Sequence, residues 1–69
     1  MFNPGERVIV KNSGTRATVL DPKTALDPWV LSAIIANNAS NLVLLQPDTN
    51  PTPSGRCFVE PGWIERLGS

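Results

Sequence analysis

The chain contains no histidine and no tyrosine, and Cys57 is its single cysteine. Without histidine, nucleophilic catalysis of the Ser–His or Cys–His kind is excluded. One cysteine cannot close a disulfide within the chain. One cysteine with scattered carboxylates supplies no structural zinc site either. An excess of either charge is also missing, because six basic residues are balanced by six acidic ones. Nucleic-acid binders normally carry a basic excess, since neutralised phosphates supply much of their affinity, so nucleic acid is a disfavoured partner. The stretch from Pro28 to Leu45 is free of charge, yet Asn37, Asn38, Ser40 and Asn41 interrupt it, so it does not read as a membrane span. No amino-terminal signal pattern is visible. These features point to the cytoplasm, or to a particle assembled there. They imply no membrane, no metal and no cofactor.

What remains is a chain of 69 residues, enough for one domain over 1–69 and one core. A domain this short buries only about 60% of the surface its unfolded chain exposes, so a small supplement to the core matters. With disulfides and zinc removed, association with a protein partner or with itself is the supplement left.

Asn3-Pro4-Gly5-Glu6 is turn chemistry, and Arg7-Val8-Ile9-Val10-Lys11 is a β-branched run of strand length. Val8 and Val10 share one face of that strand, and Arg7, Ile9 and Lys11 share the other. Asn12-Ser13-Gly14 reads as a turn, with Gly14 free to take positive φ. Thr15 to Leu20 then alternates, with Ala17 and Val19 inward and Arg16 and Thr18 outward. The pattern predicts a hairpin that ends at Asp21-Pro22.

From Leu26 to Asn38 the character changes. Asp27 is a good N-cap, Pro28 suits the first helical position, and Asn37-Asn38 can close a helix in the left-handed conformation. A helix from Pro28 to about Ala36 would be apolar almost all round, through Trp29, Val30, Leu31, Ala33, Ile34 and Ile35, and needs burial on more than one side. The alternative is a strand with Trp29, Leu31, Ala33 and Ile35 on one face. The end signals favour the helix. Leu42 to Gln46 is a strand apolar on both faces, suited to mid-sheet or to a place under the helix. Pro47 to Gly55 holds three prolines and reads as a mobile loop. Arg56 to Val59 resumes as a strand, Glu60-Pro61-Gly62 turns, and Trp63 to Leu67 closes the domain as a 3₁₀ turn or short strand.

Several short strands with turns between them predict a mainly β chain, a small barrel of about five strands with one short helix between the second and third. Pro4-Gly5-Glu6-Arg7-Val8-Ile9-Val10 followed by Gly14-Thr15-Arg16-Ala17-Thr18-Val19-Leu20 is similar to the opening of the SH3-like small barrels, and Phe58-Val59 with Trp63-Ile64-Glu65-Arg66-Leu67 resembles their close. That group includes KOW domains, the variable chain of ferredoxin-thioredoxin reductase, the photosystem I PsaE subunit and the type II dihydrofolate reductases. Ala17 stands where a KOW motif has glycine, and the Val-Gln-Ile-Tyr of the type II reductases is absent. The resemblance therefore implies architecture alone.

Cys57 reads as a small buried hydrophobe, and Asp21, Asp27, Glu60 and Glu65 as turn, cap and surface residues. Arg7, Lys11 and Arg16 lie together on the outer face of the first hairpin, a solvated face or a patch for an anionic partner, with Glu6 and Asp21 placed to blunt its field. Trp29 and Trp63 read as core or core-edge residues, but two tryptophans are hard for so small a barrel to hide. Trp29, Val30, Ile34 and Trp63 are accordingly the candidate interface. The expectation is a non-catalytic interaction module, a subunit or adaptor of a larger bacteriophage or bacterial assembly. The alternatives are a small barrel that binds nucleic acid or the transcription machinery through Arg7, Lys11, Arg16 and Arg56 on one surface, and an enzyme with its active site at an oligomer axis.

Overall fold

The computed structural model describes residues 2–36 and 41–67. Strands β1 (Arg7–Val10), β2 (Arg16–Val19), β3 (Val43–Pro47), β4 (Cys57–Val59) and β5 (Ile64–Arg66) form one antiparallel sheet in the order β4-β3-β2-β1-β5. Helices α1 (Pro22–Ala25) and α2 (Pro28–Ala36) fill the β2–β3 connection, and 3₁₀ turns at Pro53–Gly55 and Pro61–Trp63 flank β4. The chain is thus mainly β, a curled half-barrel sheet whose edges, β4 and β5, are three residues each. Edges that short offer little template for further strands.

The opening turn is built as its residues demand. Glu6 N–H donates to the Asn3 carbonyl at 3.1 Å, with Pro4 and Gly5 in between and Gly5 at φ +89°. That is a type II arrangement, which wants proline then glycine. The hairpin forms as the alternation predicts, with Arg7 opposite Thr18, Val8 opposite Ala17 and Ile9 opposite Arg16. Gly14 takes φ +70° and donates its N–H to the Val10 carbonyl.

Register then gathers the core. Val8 faces Ala17, Val19 faces Leu45, Val10 faces Ile64 and Val43 faces Val59. All lie on one side of the sheet, where Val8, Ala17, Val19, Leu45 and Ile64 are buried, with Phe2, Val10, Val43 and Val59 packed against them. Strand β3 is apolar on both faces, as expected. Leu44 points the opposite way from Leu45, beside Phe58, and is buried outside that cluster.

Two expectations are corrected here. The β2–β3 connection holds two helices where one was expected. Asp21 is not simply a turn residue: its carboxylate accepts from Lys23 N–H at 3.0 Å and caps α1, which begins at Pro22. Cys57 is exposed, not buried. Its register places it opposite Leu45, but β4 is an edge strand, and among the described residues no strand lies beyond it to cover the thiol.

The Pro47–Gly55 loop carries its own bonds. Gln46 Nε2 donates to the carbonyls of Asn50 and Thr52 at 2.7 and 2.8 Å, and Thr52 Oγ1 reaches Asn50 Oδ1 at 2.6 Å. Arg56 links this loop to the helices. Its Nε donates to Gln46 Oε1 and its Nη1 to the Ala25 carbonyl, both at 2.9 Å, so one guanidinium ties β3 to the end of α1.

Candidate functional site

Helix α2 is the helix of the two alternatives, and it runs over Pro28–Ala36. The Asp27 carbonyl accepts from the N–H groups of Val30 and Leu31, which starts the helix. The proposed closure at Asn37-Asn38 lies outside the described residues. Val30, Leu31 and Ile34 are half-buried. With Ile35 at the margin, Leu31 and Ile34 border a groove of about 210 Å³ whose other wall includes Leu42 and Phe58. The helix therefore lies over the outer face of β3 and β4, the side opposite the main core.

The far side of α2 is open. None of its nine residues is buried, and Trp29 is 73% and Ile35 60% exposed. At 100° per residue, Trp29, Ser32, Ala33 and Ala36 fall on one stripe, and all four are exposed. That stripe has no charged group and a single hydroxyl. Burial on more than one side, which the apolar sequence of this segment calls for, is therefore not supplied by the sheet. One five-stranded sheet has only one outer face to offer a helix.

The tryptophans are not core residues. Trp63 is 52% exposed at the end of its 3₁₀ turn, where its carbonyl accepts from Lys11 N–H at 2.9 Å. It introduces β5 at one edge of the sheet, whereas α2 lies toward the other edge. Of the four candidate interface residues, Trp29, Val30 and Ile34 thus belong to α2, with Val30 and Ile34 turned partly inward, and Trp63 belongs to the 3₁₀ turn before β5.

The basic group on the hairpin is arranged differently from the sequence reading. Arg7, Lys11 and Arg16 are all exposed. Arg7 is held by both oxygens of Asp48, with Nη1–Oδ1 at 2.8 Å, and also donates to Thr18 Oγ1 at 2.7 Å. Lys11 lies 3.9 Å from Glu65. The acids that blunt the field are therefore Asp48 and Glu65, not Glu6 and Asp21. Glu6 instead pairs with Arg66, which also lies over the Phe2 ring at 4.5 Å. The Arg7 guanidinium holds the Asp48 carboxyl below its ordinary range, and the Asn3 N–H, followed by Arg66, does the same for Glu6.

A second depression, of about 560 Å³, opens beside Phe2, Leu20, Pro22, Leu42, Leu44 and Pro61. Asp21 is its one charged lining residue, and that carboxylate is already committed to capping α1. Among the described residues no group of three or more potential ligands is placed to hold a metal ion, and no helix is long and apolar enough to cross a membrane. The chain matches no protein-family model, no curated protein and no solved structure.

Sequence reasoning found α2 and its apolar excess but missed α1, the pairing of Asp48 with Arg7, and the role of Arg56, expected on a basic surface and found instead as a clamp on Gln46 and Ala25. Asp21-Pro22 repeats the cap-and-proline pattern of Asp27-Pro28 and was the available signal for α1. For the two ion-pair and clamp residues no local signal exists, since their partners lie up to 41 positions away.

Proposed function

We propose that this chain is a non-catalytic interaction module, an SH3-like small barrel whose α2 face docks on protein. The observation that carries the reading is the Trp29 face, apolar, uncharged and left open by the described residues. With Trp29 at 73% exposure, its side chain leaves on the order of 110–180 Å² in water. At ~25 cal/mol per Å², covering it is worth roughly 3–4.5 kcal/mol. Stability in so small a core is of similar size, about 3–5 kcal/mol, so covering that one side chain matters to the whole. The strand order with β1 between β2 and β5 suits an SH3-like assignment.

Catalysis has little to work with. Glu6, Asp48 and Glu65 each face a cation, Asp21 caps α1, and the sequence lacks histidine. Binding of nucleic acid loses support for the same reason, because Arg7 and Lys11 have acidic partners within this chain. The exposed thiol of Cys57 suits a reducing compartment such as the cytoplasm.

The test is the state of Trp29 in dilute protein. In a Trp63→Phe background all indole emission comes from Trp29. It should be red-shifted and freely quenched by acrylamide. Blue-shifted, unquenched emission in the dilute monomer would mean the face is already covered, and the docking reading would be lost.

A further inference from the structure

We infer that the occupant of the α2 face is a second copy of this chain, with the two helices antiparallel about a twofold axis. The inference rests on the docking reading above and names its partner.

The exposed stripe is complementary to itself. Trp29 and Ala36 are its ends and Ser32 and Ala33 its middle, so a twofold axis passing between Ser32 and Ala33 sets Trp29 against Ala36 of the second copy. The same axis sets Ser32 against Ala33 of the second copy. Each indole then rests over small side chains, and no two bulky groups collide. Small residues along the seam let two helices approach to the near end of the usual ~8–10 Å separation. Trp29 and Ala36 are seven residues apart, about 10.5 Å along the axis, so both indoles can be seated at once.

The absence of charge leaves the same occupant unopposed. An isologous contact brings every group near the axis against its own copy, which penalises a face with charge. No residue from Pro28 to Leu45 is charged, and the net charge of the chain is zero, so neither the face nor the whole molecule repels its copy. A charged partner would find nothing on this helix to pair with. Antiparallel helices also oppose their dipoles favourably.

The contact is small. Two nine-residue helices cannot supply the ~1,600 Å² of a standard interface, so the dimer is weak, with dissociation on the order of 10 µM to 1 mM.

Sedimentation equilibrium from low micromolar to millimolar protein reads this directly. The wild-type mass should rise from one chain towards two, and Trp29 emission in Trp63→Phe protein should shift to the blue in step. Ala33→Glu and Ala33→Lys keep good helix formers on an exposed position, so circular dichroism should stay unchanged. Each should weaken self-association at least about tenfold, because like charges meet near the axis. An equimolar mixture of the two variants should associate again, and added salt should dissolve that heterodimer. Mass that stays at one chain with Trp29 open to quencher overturns the second-copy inference and leaves the docking reading standing. Dimers that Ala33→Glu does not weaken, or a mixture that does not recover, place the contact elsewhere and overturn it equally. A sealed Trp29 in the monomer overturns both.

Discussion

Gly55 and Gly62 stand in the two 3₁₀ turns that flank β4, and a methyl group would meet very different surroundings at each. At Gly55 a Cβ would lie 2.4 Å from the Asn50 carbonyl oxygen and 2.7 Å from the Asn50 Cβ, whereas at Gly62 nothing lies within 4 Å. The clash at Gly55 includes backbone of a turn that Gln46 holds through two hydrogen bonds, so it is not relieved by a side-chain rotation. Gly55→Ala should cost about 1–3 kcal/mol, as overpacking does elsewhere. Gly62→Ala should change stability by less than about 0.5 kcal/mol. Urea denaturation of the two variants beside wild type decides it; equal midpoints would show that the loop rearranges freely. At this scale the sequence is a poor guide to exposure. Val8, Ala17 and Val19 are inward as their alternation says, because alternation is a property of the strand itself. Cys57, Trp29 and Trp63 depend on what lies beyond the strand or helix that carries them, and three-residue edges with a one-sided helix leave all three in water.

Helix α1 has four residues, fewer than any periodic pattern can reveal, and none of them is buried. It is held by its ends. Asp21 caps one end, and the Arg56 guanidinium holds the Ala25 carbonyl at the other while bonded to Gln46. Arg56→Met keeps the aliphatic stem and removes both bonds. It should speed hydrogen exchange at the N–H groups of Ala25 and Leu26, which bond back to Asp21 and Pro22, and cost about 1–2 kcal/mol overall. Unchanged exchange at those two amides would mean that Asp21 alone secures α1. The contrast between α1 and the first hairpin shows which elements sequence can disclose. The hairpin has local signals, positive-φ glycines and alternating residues, so its register follows from residues 3–20 alone. Helix α2 is legible too, since Asp27 and Pro28 mark its start and an apolar run of helix length follows. The clamp on α1 joins residues 25, 46 and 56, which meet only after β3 and β4 have paired. Its separation in sequence conceals it. The same holds for the candidate site: the apolar excess of α2 can be read in the chain, but the sheet decides which side of the helix stays open.

At the scale of the whole molecule, ion pairs between distant segments couple stability to pH. Asp48, on the loop after β3, meets Arg7 on β1, and Glu6, before β1, meets Arg66 on β5. Both carboxyls are held below their ordinary ranges in the folded protein, Asp48 by the Arg7 guanidinium and Glu6 by the Asn3 N–H and then Arg66. Because the folded form holds its proton less tightly than the unfolded form, the stabilisation is complete above the unfolded carboxyl range of about 4. It drains away as pH falls through the lower folded values. Neutral and mildly acidic solution should therefore leave the urea midpoint flat, and it should fall steeply below about pH 4. Asp48→Asn removes one of the two contributions. Its midpoint should lie below wild type at neutral pH, its acid slope should be shallower, and the two curves should converge once wild-type Asp48 is protonated. All the partners are partly exposed, so salt should narrow the neutral-pH gap by screening. Curves for wild type and Asp48→Asn that stay parallel down to the acid limit would show that the Arg7–Asp48 pair contributes nothing to holding the loop against the hairpin. Closure of the half-barrel would then rest on the apolar cluster around Val8 and Leu45, with the Glu6–Arg66 pair beside it.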